Sequence, residues 1–166
     1  MNIIICGAGR VGFTIAKQLS EQGHSITVID TSSEDIQKID DALDVKAIVG
    51  KATYPTILEK ANAAETDMII AVTRNDEINM VICQIAFSIF NIPKKIARIR
   101  SQDYLNPKFT RVYNKENLPI DVIISPEIEI AKSIQRKLEA AGALDSVPFA
   151  NNKIRLLEIL IKDNCK

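Results

Sequence analysis

The chain has 166 residues, 46% of them hydrophobic and 25% charged, with 21 lysines and arginines balanced by 21 aspartates and glutamates. That composition suits one globular domain with a proper core, and the zero net charge argues against nucleic acid or an anionic membrane as partner. Three cysteines without C-x-x-C spacing (Cys6, Cys83, Cys165) and one histidine, His24, argue against a disulfide scaffold, a zinc site and a serine-histidine triad, and the cysteine usage fits a reducing, cytoplasmic setting.

From the first residue, short β-branched runs alternate with longer segments whose apolar residues recur every three or four positions, the signature of an α/β fold. Strands are expected at Asn2 to Cys6, Ser25 to Ile29, Lys46 to Val49, Met68 to Val72, Lys95 to Arg100 and Asp121 to Ile124. Several are apolar on successive residues, as a parallel sheet covered on both faces requires. Helices are expected at Val11 to Gln22, Ser33 to Leu43, Pro55 to Ala61, Glu77 to Phe90 and Glu127 to Ala141. The expected fold is therefore a Rossmann-like, doubly wound parallel sheet of six strands.

Ser33 ahead of Glu34 and Asp35, and Ser125-Pro126 ahead of Glu127, read as helix starts, and Gly142 as a helix stop. Residues 101–119 are less regular and should hold one short helix. The apolar start runs into glycines with no basic segment ahead of it, so it is not read as a signal peptide. The longest apolar stretch, Ile78 to Phe90, is broken by Asn79, Gln84 and Ser88 and falls short of the roughly 20 residues that span a bilayer. The partition expected is a domain over 1–142 and a short extension over 143–166. In the extension, Asn151 to Lys153 form a turn and Ile154 to Ile161 the first strand of another subdomain.

The first strand runs into Gly7-Ala8-Gly9-Arg10-Val11-Gly12, a G-x-G-x-x-G that opens a helix, and Asp30 follows Gly12 by 18 residues at the end of the second strand. In that context Gly7 allows the tight turn, Gly9 the approach of a pyrophosphate and Gly12 the close packing of helix on sheet. The phosphates would sit on the helix N-terminus, where unpaired N–H groups favour anions. Asp30 would accept the ribose hydroxyls and repel a 2′-phosphate, and Thr31, Ser32 and Ser33 supply no arginine to welcome one, so NAD is favoured over NADP. Arg10 is placed to contact phosphate. Thr73, Arg74 and Arg98 lie at strand ends near the switch point beside the first strand, where open sheets bind ligands. The bland alternative makes the glycines and Asp30 turn and cap residues and the arginines surface charge.

The glycine turn, Val28-Ile29-Asp30, Gly50 to Thr53 with Leu58 to Ala61, Ala71-Val72-Thr73 with Asp76-Glu77 and Asn79, Ile96 to Arg100 with Tyr104, and Ile124 to Glu127 recur here as one ordered set. That set, from Met1 to about Gly142, resembles the nucleotide-binding domains that regulate potassium transport, the RCK or KTN family. The resemblance implies a cytoplasmic, non-enzymatic subunit, held at the inner face of the membrane through its partner. It implies binding of NAD(H), with ATP or ADP as further ligands, and a change of shape that gates a membrane-embedded potassium transporter. It places Gly7 to Val11 on the phosphates, Asp30 on the ribose, Thr73 and Arg74 beside the nucleotide, and Arg98 near the phosphates or across a dimer contact. Homo-oligomers are expected, through the helix after the fifth strand or the Glu127 to Ala141 helix.

Two departures stand out: Lys51 replaces the acidic residue usual after the glycine at position 50, and family members commonly carry two such domains, so this chain reads as an N-terminal portion or a truncated relative. The competing reading is an NAD-dependent dehydrogenase or its cofactor-binding fragment. It needs an acid or base beside the nicotinamide, normally supplied by another domain; of Tyr54, Tyr104 and Tyr113, only Tyr104 has a lysine four residues on, Lys108.

Overall fold

The computed structural model describes residues 1–139, 143–149 and 154–159, which fall into two compact units, Met1–Ile124 and Ser125–Lys166. The first unit holds strands β1 (Asn2–Cys6), β2 (Ser25–Asp30), β3 (Lys46–Val49), β4 (Met68–Ala71), β5 (Lys94–Arg98) and β6 (Val122–Ile124). Between them run helices α1 (Arg10–Glu21), α2 (Ser33–Ala42), α3 (Pro55–Lys60), α4 (Asp76–Ser88) and α5 (Gln102–Leu105). All six strands pair in parallel in the order β3-β2-β1-β4-β5-β6, so the strand order reverses between β1 and β4. That is the doubly wound sheet with its switch point beside β1.

Alternate residues of each strand feed opposite faces. Ile3, Ile5, Ile26 and Val28 pack with Ala16 of α1 and Ile36 and Ile39 of α2. Ile4, Cys6, Ile29 and Ile69 pack on the other face with Leu58 of α3 and Ile82 and Cys83 of α4. Both faces are therefore dry, which is why the strands read as unbroken apolar runs.

Within the first unit the differences from the sequence reading are at element ends and in residues 101–119. β5 stops at Arg98 rather than Arg100, because the Arg100 N–H is taken by the Asp76 carboxylate at 2.8 Å. Helix α2 is capped by Ser32, not Ser33: the Ser32 hydroxyl accepts from the Asp35 N–H. Residues 101–119 hold α5 and, beyond the one helix expected, a 3₁₀ turn at Thr110–Val112.

The second unit contains α6 (Pro126–Glu139) and an antiparallel hairpin of β7 (Ala143–Phe149) and β8 (Ile154–Ile159). Only β8 was legible as a strand; β7 interrupts its apolar residues with Asp145, Ser146 and Pro148. Gly142, the Asn151 to Lys153 turn, Ile161 and Cys165 lie outside the described residues. The first compact unit closes at Ile124 and α6 groups with the hairpin, whereas the sequence partition was drawn at residue 142.

Candidate nucleotide site

The carboxyl ends of the parallel strands surround a cleft of about 920 Å³ centred on the switch point. Its floor is the β1–α1 turn. Gly7 has φ +117°, and a Cβ there would lie 2.9 Å from the Val72 carbonyl oxygen, so only glycine turns the chain this tightly against β4. Gly12 sits one turn into α1, where a Cβ would fall 1.8 Å from the Gly7 carbonyl oxygen. Gly9, the N-cap of α1, has nothing within 4 Å of the position a Cβ would take. Two glycines therefore close the turn, and the third keeps the helix N-terminus accessible from the cleft.

Asp30, at the end of β2, faces this turn. One carboxylate oxygen accepts from the Ala8 N–H at 2.6 Å, the other from the Ser32 N–H at 2.9 Å. Its own carbonyl accepts from Gly50 N–H at 2.8 Å, which ties the end of β3 into the same corner. The carboxylate is thus fixed by two backbone N–H bonds, with a long one from the Thr31 hydroxyl at 3.4 Å, and keeps lone-pair capacity for further hydroxyl donors. Beneath it, burial holds the Cys6 thiol well above its ordinary pKa, with the charges of Cys83 and Asp30 adding to the shift, so the turn rests on a neutral sulfur.

The opposite wall comes from β4 and β5. Thr73 donates its N–H and its hydroxyl to the Asn79 side chain at 2.9 and 2.7 Å. Arg74 is exposed and Arg98 half-buried, and both line the cleft.

Of the residues expected at the site, Gly7, Gly9, Arg10, Val11, Asp30, Thr73, Arg74 and Arg98 line this cleft. Ala8 and Gly12 do not; Ala8 is buried and contributes its N–H to Asp30, and Gly12 packs against Gly7. The sequence reading passed over Tyr54, Asn75 and Ile78, which also line it. Lys51 stands there as well, its ammonium 5.4 Å from the centroid of the Tyr54 ring. Asp30 and Asp35 lie on the β2 side with Lys51 beyond them after β3, while Arg10, Arg74 and Arg98 place three cations at the glycine turn and on the β4–β5 side. A ligand with a hydroxyl-rich portion and a polyanionic portion complements that division.

A second hollow, of about 730 Å³, lies at the opposite edge of the sheet beside His24, Asp44 and Lys46, far from the glycine turn. Among the described residues no group of His, Cys, Asp and Glu is arranged to hold a metal, and no helix is long and apolar enough to cross a membrane.

Comparison with known proteins gives this geometry its context. The TrkA-N domain model matches residues 3–126. The Trk system potassium uptake protein TrkA of Azorhizobium caulinodans is 42% identical over 165 residues, covering 99% of this chain and 36% of that protein. The chain thus spans about a third of the length of the curated relatives it matches.

Among solved structures, the TrkA-N domain of the inner membrane protein ybaL from Escherichia coli superposes with a TM-score of 0.70 at 22% identity, covering 84% of this chain and 96% of that one. The GsuK channel bound to NAD gives 0.64 at 16% identity over 81% and 23%. At such identities the structures establish a shared fold, and the sequence matches supply the kinship. With residues 3–126 matched by the family model and a relative 42% identical over 99% of this chain, the chain belongs to the TrkA-N family.

Proposed function

We propose that this chain is a nucleotide-binding regulatory element of potassium uptake. In this reading it holds NAD(H), with ADP and ATP as further ligands, and its occupancy gates a membrane-embedded Trk-type potassium transporter subunit. The protein catalyses no reaction on the nucleotide and works in the cytoplasm, peripheral to the membrane through that partner. The name of the curated relatives supports the transport assignment, and the GsuK channel bound to NAD supports the ligand class.

The observation that carries the reading is the Asp30 carboxylate, held by the Ala8 and Ser32 N–H groups beside the open approach over Gly9. In a Rossmann fold these are the positions for the ribose and the pyrophosphate. Gly7 to Val11 then meet the phosphates at the helix N-terminus, and Thr73, Arg74 and Arg98 flank them from β4 and β5. Residues 1–142 serve as the NAD-binding domain and 143–166 open a regulatory subdomain. Ile130, Ile134 and Leu138 recur every four residues along α6 and are exposed, which supports self-association into a homodimer or higher oligomer through that helix.

Calorimetric titration with NAD+, NADH, NADP+, ADP and ATP tests the reading. NAD+ should bind more tightly than NADP+, and Asp30→Asn should lower NAD+ affinity and narrow that gap. Equal wild-type affinity for NAD+ and NADP+, or no nucleotide binding, refutes it.

A further inference from the structure

The wall of the cleft built from β4 and β5 is held by buried polar groups that core packing does not require. Asn79 has no exposed surface; its oxygen accepts both Thr73 donors, and its amide nitrogen donates to the Arg98 carbonyl at 2.8 Å. Asp76, 7% exposed, accepts the N–H groups of Arg100 and Ser101 through one oxygen, both at 2.8 Å. Its other oxygen is buried without a hydrogen bond and faces the Arg100 Nε at 3.7 Å. The Arg100 guanidinium in turn donates to the carbonyl of Arg74.

A buried carboxylate with an unbonded oxygen is a costly way to fill space, since apolar residues of similar volume commonly serve stability as well or better. What apolar residues would not supply is connection. The bonds to Arg98, Arg100 and Ser101 join the start of α4 to the end of β5, those to Thr73 join it to the β4–α4 turn, and the bond from Arg100 to Arg74 ties that turn to the residues just after β5. These two segments carry Thr73, Arg74 and Arg98 into the cleft.

We propose that Asp76 and Asn79 are positioning residues for the phosphate portion of the ligand: they lock the backbones of Arg74 and Arg98 to the start of α4, so that both arginines are presented to the cleft as one unit. This rests on the nucleotide reading above and extends it by assigning roles to two residues that line no part of the cleft. Neither touches ligand; both act through the arginines. Asp76→Asn is the informative change, because the amide keeps an oxygen for the two N–H groups while removing the charge that holds Arg100 on Arg74.

Adenosine and ADP should be titrated calorimetrically into wild type, Asp76→Asn, Arg74→Ala and the double variant. Wild type should bind ADP more tightly than adenosine. Asp76→Asn should retain adenosine affinity and lose about tenfold for ADP, the scale of one charge-assisted bond. The loss that Asp76→Asn causes should be smaller in the Arg74→Ala background than in wild type, because part of its effect runs through Arg74.

A parallel loss for adenosine and ADP marks general loosening and overturns the proposal; so does unchanged ADP affinity, or additive losses in the double variant. A wild type that binds ADP normally beside an unaffected Asp76→Asn removes the positioning role alone. A wild type that binds neither ligand, nor NAD+, removes the nucleotide reading and this proposal with it. If Asp76→Asn does not fold, Arg100→Gln, whose side chain is 43% exposed, severs the same link and carries the same prediction.

Discussion

Replacing Gly9 by alanine should separate the fold from the ligand. Gly9 has φ −65° and ψ −177°, a backbone any residue adopts, and an added methyl group meets no atom within 4 Å. Alanine is a poorer N-cap than glycine, at a cost on the order of 0.5–1 kcal/mol. The reduced freedom of the unfolded chain returns about 0.4–1 kcal/mol. The two nearly cancel, so the thermal midpoint should move by less than about 3 °C. Binding should respond differently, because the same methyl group stands where a pyrophosphate must approach the first N–H groups of α1. Loss of one charge-assisted bond, about 1.5–3 kcal/mol, corresponds to roughly a ten- to hundredfold weaker affinity. Calorimetry with NAD+ and ADP, beside thermal unfolding, reads both quantities on one sample. A folded Gly9→Ala with wild-type affinity would refute the placement of phosphates over this residue.

Gly12→Ala should do the reverse: its Cβ would overlap the Gly7 carbonyl oxygen at 1.8 Å, and urea denaturation should show a loss of at least about 3 kcal/mol. Stability should also depend on pH through Asp121. Burial pushes its carboxyl upward, but the hydrogen bonds from the Lys95 ammonium and N–H, with the charges of Lys95 and Lys94, outweigh that and hold it below the ordinary value. A depressed carboxyl contributes stability that is complete above its unfolded pKa and is lost as pH falls through the folded one. Urea midpoints below pH 4 should therefore fall less steeply in Asp121→Asn than in wild type, and parallel curves would exclude this contribution. The Cys83 thiol is pushed up to about 12 by burial, with Lys95 opposing and Asp121 adding, and Cys6 is raised as well. Neither should be alkylated by iodoacetamide at pH 8 until urea unfolds the chain; native labelling of Cys6, read by peptide mass, would contradict this.

The parts of this fold that local chemistry dictates were legible in advance. Strands β1 to β4 are bounded by β-branched runs and turn residues, and the glycine turn announces its own geometry because Gly7 must take a positive φ. Long-range pairing was not legible. β5 ends early because a carboxylate from α4 takes the N–H that would have continued it, and β7 carries Asp145, Ser146 and Pro148, which no local rule turns into a strand.

The site divides the same way. Asp30 was expected to receive a ribose, but that it also accepts from Ala8, 22 residues away, follows only once β2 lies beside β1. Tyr54, Asn75 and Ile78 line the same cleft as the glycine turn because the strand order brings β3 and β4 to flank β2 and β1. The order of strands in a sheet is not a local property of any of them.

The two walls of the cleft are built to different rules, and under the regulatory reading proposed above the difference separates recognition from response. On the β2 side Asp30 is fixed by backbone donors from two turns, so its orientation is set before a ligand arrives and little ordering remains to oppose binding. On the β4–β5 side Arg74 sits in an exposed turn whose geometry depends on side chains, Asn79 through Thr73 and Asp76 through Arg100. Backbone-held groups contact a ligand equally well in any arrangement that preserves the sheet, and equal affinity for two arrangements shifts neither. A group held through side chains can differ between arrangements. Under the regulatory reading proposed above, the Asp30 wall therefore suits recognition and the arginine wall suits response, so the energy that biases one arrangement over another should come from the phosphates rather than the nucleoside.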